Sequence, residues 1–227
     1  MKVNPKEALA KTHYCDHDHP AISALAAQLA EGCTDQREIV QRAFRSVRDQ
    51  LPFGFALYRR KASEVLQRGY GVCWNKSLLL TALLRGNGIP AHFGSIPLRR
   101  TFIAPVIGGL HRLASDPFNH CLVHVWLDDR WFVLDPVLDR KTYETFFRPL
   151  KVPWGIDWEG QDDCHLYTES VLGPPVMHLD IDAAINNRVG NKELAEPLAV
   201  VANSQLNKQL WKKAGIQIGK TAMAEGS

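Results

Sequence analysis

Apolar residues recur at helical intervals over the first fifty positions and at alternate positions between 120 and 135, so the chain predicts helices first and a hairpin later. Pro20 opens a helical run through Ile22, Leu25, Ala26 and Leu29, and Gly32 suits the position after its last turn. Asp35 followed three residues later by Glu38 has capping-box spacing. Behind it Ile39, Val40, Ala43, Phe44 and Val47 form one stripe, which Pro52 ends. Ser63 is the expected cap of a short helix, Glu64 to Arg68, closed by Gly69. Between Ser77 and Arg85, Leu78, Leu79, Leu80, Ala82, Leu83 and Leu84 cover most of a helical circumference and leave Ser77, Thr81 and Arg85 on a narrow stripe. A helix apolar almost all round is a buried one. Gly86-Asn87-Gly88 stops it, and Ile89 to Ile96 reads as a strand.

Residues 97–119 read as loop. His120 to Leu127 and Trp131 to Asp135 then alternate cleanly around Asp128-Asp129-Arg130, a hairpin signal. The stretch 150–182 is loop-rich and acidic, with seven Asp/Glu against Lys151 alone. From Ile181 the pattern turns helical again: Gly190 ends a short segment, Pro197 opens a longer one and Gly215 closes it. The expected division is a catalytic domain over 1–180 and a helical extension over 181–227, packed on it and flexible at its end.

Composition narrows the field. The chain has 227 residues, 45% hydrophobic and 22% charged, enough for a sizeable core without disulfide or metal staples. Lys and Arg total 27 against 24 Asp and Glu, so the +3 balance lacks the basic excess of a dedicated nucleic-acid binder. No run approaches the roughly eighteen apolar residues of a membrane span, and Met1 to Lys6 has no apolar targeting core. The expectation is a cytoplasmic chain with neither nucleic acid nor membrane as partner. Its five cysteines, at 15, 33, 73, 121 and 164, form no C-x-x-C pair, which excludes zinc ribbons and thioredoxin-like motifs.

Which thiol does chemistry is then the question. Cys73 follows Gly69-Tyr70-Gly71 at the mouth of the buried helix, where unpaired N–H groups and the positive dipole end lower a thiol pKa. The competing reading is an inert core cysteine. A nucleophilic thiol needs a base and the base an orienter. If Asp128-Asp129 is a two-residue turn, positions 120, 122, 124 and 126 share a sheet face with 131, 133 and 135. His120 and His124 then both lie diagonal to Asp135, and periodicity does not choose between them. His120 lies at the open end of the hairpin, which favours it. His13, Cys15, His17 and His19 alternate as a metal ligand set would, but no distant pair completes a site, and a polar strand leading into the first helix is the better account. Neither a metal nor a cofactor is expected. Arg99, Arg100 and Arg112 read as a solvated loop rather than an anion pocket, and Val152 to Gly160 as either a cleft wall or a satellite core.

The string Lys61-Ala62-Ser63-Glu64-Val65-Leu66-Gln67-Arg68-Gly69-Tyr70-Gly71-Val72-Cys73, with Leu83 to Ala91 ending in Gly88-Ile89-Pro90-Ala91, resembles the bacterial transglutaminase-like family. His120, Trp131 and Asp135 match the spacing of that family's second motif, and the resemblance extends over roughly residues 14–140. The family usually has Ala-Trp after its His where this chain has Cys121-Leu122, a Glu where it has His124, and a turn Gly where it has Asp129. The resemblance implies an α+β, papain-like core with N-terminal helices, a buried nucleophile-bearing helix and an antiparallel sheet. It also implies a Cys-His-Asp enzyme with Cys73 as nucleophile, His120 as base and Asp135 as orienter.

Gln67 has the spacing of a papain-type oxyanion glutamine, against a solvated position on a short helix. Trp74, shared with the Gly-Gln-Cys-Trp motif of animal transglutaminases, and His124 are the residues assigned to the substrate pocket, with a packed position as the alternative for His124. The expected substrate is a peptide, amide or thioester carbonyl. Water as acceptor gives hydrolysis and an amine gives transamidation. Amide synthesis from a carrier-bound thioester is the second reading, and a catalytically silent binding module the third, against which intact Cys73, His120 and Asp135 argue. Arylamine N-acetyltransferases use the same three residue types, but Gly-Ile-Pro-Ala favours the transglutaminase-like side. Oligomeric state is not legible.

Overall fold

A helix apolar on nearly every side has to run through the middle of a fold, with other elements arranged around it. In the computed structural model, which describes residues 4–152, 157–165, 169–187 and 195–218, three helices precede it: α1 (Pro20–Ala30), α2 (Gln36–Arg45) and α3 (Ala62–Arg68). The central helix is α4 (Cys73–Gly86). Strand β1 (Ala91–Leu98), the short α5 (Ala104–Ile107), strands β2 (Phe118–Leu127) and β3 (Arg130–Leu134), α6 (Arg140–Phe146), β4 (Val176–His178), α7 (Ile181–Asn186) and α8 (Glu196–Ala214) follow. The strands make one antiparallel sheet in the order β3-β2-β1-β4.

Helix α4 buries every residue from Trp74 to Arg85, lying against β1 and β2 on one side and against α1, α2 and α3 on the other. Its polar stripe is buried too; the Ser77 hydroxyl has no hydrogen-bond partner, but the other two residues find acceptors. Thr81 donates to the Ser77 carbonyl at 2.8 Å, and the Arg85 guanidinium donates to the carbonyls of Ala91 and Ala10. Each fully buried leucine on this helix contributes about 1.5–3 kcal/mol.

The hairpin forms in the expected register. Leu127 faces Arg130, and Asp128 and Asp129 both take positive φ, 48° and 60°, which matches the twist of the flanking strands. The cap of α2 is also as expected: the Asp35 carboxylate accepts from the Glu38 N–H at 2.9 Å. Helix α8 starts with Pro197 inside its first turn and stops at left-handed Gly215.

Four expectations are corrected. Ser63 lies inside α3, whose first turn is instead closed by the Glu64 carboxylate accepting from the Lys61 N–H at 2.7 Å; the Ser63 hydroxyl donates to Asp16 at 2.6 Å. Residues 97–119 are not plain loop but α5 flanked by 3-10 turns, Arg100–Ile103 and Gly108–Leu113, and Phe102, Ile103 and Val106 fold back onto the core while Leu110 and Leu113 stay exposed. The stretch 13–19 is a series of turns rather than a strand, tied by Cys15 N–H to the Thr12 hydroxyl at 3.1 Å and by His19 N–H to the Asp16 carbonyl at 2.9 Å. The acidic stretch supplies the three-residue edge strand β4, too short to show a period. Gly190 and the end of the chain beyond residue 218 lie outside the described residues.

The last helices dock by specific bonds. The Asp182 carboxylate accepts from the N–H groups of His13 and Tyr14 at 2.7 and 3.1 Å, and the Tyr14 hydroxyl bonds to Asn186 at 3.0 Å. From α8, Asn207 accepts from the Phe55 N–H at 2.6 Å and donates to the Phe55 carbonyl at 2.9 Å, while the Trp211 indole donates to the Phe53 carbonyl at 2.9 Å.

Candidate active site

Cys73 is the first residue of α4, so its backbone N–H belongs to the turn that has no intrahelical acceptor. Asn75 sets this start by accepting from the Val72 N–H at 3.2 Å, and it lies so close to Gly71 that a Cβ there would sit 2.5 Å from the Asn75 Cβ. Glycine is therefore needed two residues before the thiol for steric reasons.

Strand β2 brings two side chains to the Cys73 sulfur. Hydrogen bonds from Cys121 and His120, with the charge of His120, push the Cys73 thiol well below its usual range against the opposing effect of burial. His120 is 4% exposed. Burial alone would lower its pKa, but the Asp135 carboxylate and then Cys73 outweigh it and push the imidazole up to about 10. Its Nε2 lies 2.7 Å from Asp135 Oδ2, which leaves Nδ1 as the nitrogen for the sulfur. Asp135 is 1% exposed and is itself held: Oδ1 accepts from the Val137 N–H at 3.2 Å, and its own N–H donates to the Cys164 carbonyl at 2.7 Å. The other shifted thiols move the opposite way. Burial pushes Cys15 and Cys164 up to about 12 and Cys121 well above its ordinary value.

Beside the sulfur opens a pocket of about 130 Å3. One wall is the segment after Pro52, with Phe53, Phe55 and Tyr58; the facing wall is the helical stretch carrying Phe102, Ile103 and Val106. Phe118, Val137, Leu138 and Phe147 add to the lining, which also includes Cys73 and His120. The first wall is anchored from several directions. Phe53 N–H donates to Asp139 at 2.8 Å, and Lys76, fully buried beneath Cys73, donates to the carbonyls of Arg48 and Leu51 at 2.9 and 2.5 Å. Burial lowers the Lys76 amine to about 8 despite the nearby carboxylates, so it acts as a tether between α4 and the chain entering the wall.

The structure brings Cys73, His120 and Asp135 together and adds Trp74, which lines the pocket and stacks on Tyr58 with centroids 5.3 Å apart. It does not bring Gln67 there: that residue is exposed on α3 and absent from the pocket lining, because left-handed Gly69 turns the chain between it and Cys73. His124 does not line the pocket either. Its ring lies over Gly94, where a Cβ would approach within 2.5 Å, and opposite His92 across the β1–β2 pair. Arg99 and Arg112 are exposed, Arg100 pairs with Asp116 at 3.4 Å, and none of the three lines the pocket. In the acidic aromatic stretch, Trp158 packs edge-on against Phe132 with centroids 5.8 Å apart and joins the main core rather than a satellite one, Asp157 binds Arg48, and neither lines the pocket. Residues 153–156 of that stretch lie outside the described residues. In the His-rich turn, His19 caps α1 by accepting from the Ala21 N–H at 3.3 Å.

Sequence reasoning assigns no role to Cys121 and misses the aromatic wall around Phe53 and Phe55. The one available signal for Cys121 was its departure from the Ala that usually follows the family histidine. The wall has no period to read.

Among solved structures, the chain is similar to a candidate cysteine protease from Cytophaga hutchinsonii, at 17% identity and TM-score 0.48 over 60% of this chain and 43% of that one. It is also similar to a transglutaminase of red sea bream, at 14% identity and TM-score 0.44 over 91% of this chain and 43% of that one. The chain thus spans less than half the length of either. Comparison with curated proteins finds no match. No described helix is long and apolar enough to cross a membrane. Residues 23–136 match the model of the transglutaminase-like superfamily, a stretch that contains α4 and the β2–β3 hairpin with Cys73, His120 and Asp135, and the chain belongs to that superfamily.

Proposed function

We propose that the protein is a cysteine-dependent acyl-transfer enzyme working through an acyl-thioenzyme on Cys73. The observation that supports this most is the opposite displacement of the thiols: Cys73 is pushed down while Cys15, Cys121 and Cys164 are pushed up. A thiolate paired with an imidazolium whose far nitrogen is held by a buried carboxylate is an activated nucleophile.

In this mechanism the Cys73 thiolate attacks the carbonyl carbon of an amide, ester or thioester, forming a C–S bond and moving the π electrons onto oxygen. The Cys73 N–H at the helix start is the donor placed for that oxyanion. Collapse breaks the bond to the leaving group, which takes the proton from His120 Nδ1. An incoming water or amine then gives its proton to His120, attacks the thioester carbon and releases the thiolate. Asp135 keeps the ring oriented and stabilises its cation throughout.

Alkylation with iodoacetamide at about pH 6, read by peptide mass, tests the reading. Cys73 is expected to be carboxamidomethylated ahead of the other four thiols, and His120→Ala to abolish that lead. Equal labelling of all accessible thiols in the unmodified protein would overturn it. Adding graded amines to a preformed acyl-enzyme then measures how it partitions between hydrolysis and transamidation.

A further inference from the structure

The lining of the pocket beside Cys73 contains no Lys, Arg, Asp or Glu. Instead it carries five phenylalanines, a tyrosine and a tryptophan, with Tyr58, Ser115 and Asn119 as the polar side chains besides Cys73 and His120. A carboxylate or ammonium group placed there loses its water, at a cost of several kcal/mol, and meets no free counter-charge, because the one cation in the lining, His120, is already paired with Asp135 at 2.7 Å. An apolar group loses nothing and gains contact with the aromatic and aliphatic lining. Size sets a second limit. At about 130 Å3 the pocket is on the scale of the roughly 150 Å3 cavity that holds one benzene molecule, too small for a long lipid chain and wasteful for a methyl group.

Position decides which part of the substrate enters. Cys73 and His120 both belong to the lining, so a group held in the pocket stays in contact with the sulfur. The acyl group is the part that remains bonded to sulfur through both halves of the reaction, whereas leaving group and acceptor need only reach the imidazole.

Resting on the acyl-transfer reading above, we propose that this pocket selects the acyl donor, and that the donor carries an uncharged, apolar acyl group about the size of one aromatic ring, such as an arylacetyl or branched short-chain acyl group. The lining excludes a charged acyl group such as a succinyl or an α-amino-bearing glutamyl group. The chemical step is the one already described: the thioester bond to Cys73 forms as the donor's bond to its leaving group breaks.

The test is a set of p-nitrophenyl esters with one leaving group and varied acyl parts: acetyl, isovaleryl, phenylacetyl and succinyl. The acylation rate is read as nitrophenolate release and the adduct on Cys73 by intact mass. Phenylacetyl is expected to exceed acetyl by roughly tenfold or more in kcat/KM, and succinyl to fall below acetyl. Val106→Phe fills the pocket from its half-buried helical wall, and Phe102→Ala enlarges it. The first is expected to lower the phenylacetyl-to-acetyl ratio at least fivefold, and the second to favour a bulkier naphthylacetyl ester over phenylacetyl. If Phe102→Ala fails to fold, Val106→Phe carries the test. Acylation of Cys73 with equal rates for all donors, or fastest with succinyl, overturns the pocket assignment and leaves the acyl-transfer reading standing. So does a ring preference that appears only when the ring is moved to the leaving group. Failure of every donor to acylate Cys73, with no preferential alkylation, overturns both.

Discussion

His120 and His124 stand four residues apart on one face of β2, and both are nearly hidden, at 4% and 7% exposure. Yet the first is pushed up to about 10 and the second down to about 4. Burial acts the same way on both, disfavouring the cation. The difference is a carboxylate. Asp135 lies 2.7 Å from His120, whereas His124 Nε2 is buried without a hydrogen-bond partner and its surroundings combine Asp163 with His92, His165 and His178. A strand position therefore offers only a place for an imidazole, and the partner at the next pair decides whether that imidazole is a cation or a neutral core ring.

The largest effect should come from making His120 resemble His124. Asp135→Asn keeps the shape but removes the charge, so burial lowers the His120 pKa and Cys73 reprotonates at neutral pH. Steady-state acyl transfer is expected to fall roughly 10^3-fold or more, with the optimum moved to higher pH. An activity loss under tenfold would mean the carboxylate is not what separates the two histidines. A smaller effect should follow from Cys121→Ala, which takes a hydrogen-bond donor from the Cys73 thiolate while leaving His120 in place. Alkylation at pH 6 is expected to slow roughly three- to tenfold, with its pH midpoint moved up.

The smallest effect on chemistry, under threefold, is expected for His124→Phe, which removes an imidazole outside the pocket whose buried Nε2 has no hydrogen-bond partner. Its effect should appear in stability at acid pH. The folded pKa of about 4 lies below the ordinary 6.5, so the unfolded chain binds the extra proton first. Stability is then full above pH 6.5 and lost as pH falls toward 4, at up to about 1.4 kcal/mol per pH unit. His92, also lowered to about 4 by burial, adds to the same limb. Urea unfolding at pH 7, 5.5 and 4.5 should show a shallower loss for His124→Phe, and an unchanged slope would remove His124 from the account.

The sequence made much of this legible, for definable reasons. A two-residue turn between alternating strands fixes register, so the diagonal from His120 to Asp135 followed from counting. A period of two also puts His124 on that face, which is why counting did not choose between them. The same alternation assigns Cys121 to the face opposite His120, so strand logic separates two residues that Cys73 joins at the helix start. Gln67 was misplaced because its spacing to Cys73 takes no account of the left-handed turn at Gly69. The pocket walls were illegible because neither 53–58 nor 100–115 has a period, and the first is held by Asp139, Asn207 and Trp211, partners distant in sequence.

Those distant partners carry a consequence for how the chain is made. Asn207 meets both polar groups of the Phe55 backbone, as a neighbouring strand would, but it is synthesised 152 positions later. Cys73, His120 and Asp135 have all left the ribosome well before that amide appears. During synthesis the cluster around the Cys73 thiol is thus complete first, and the aromatic wall beside it is fastened last.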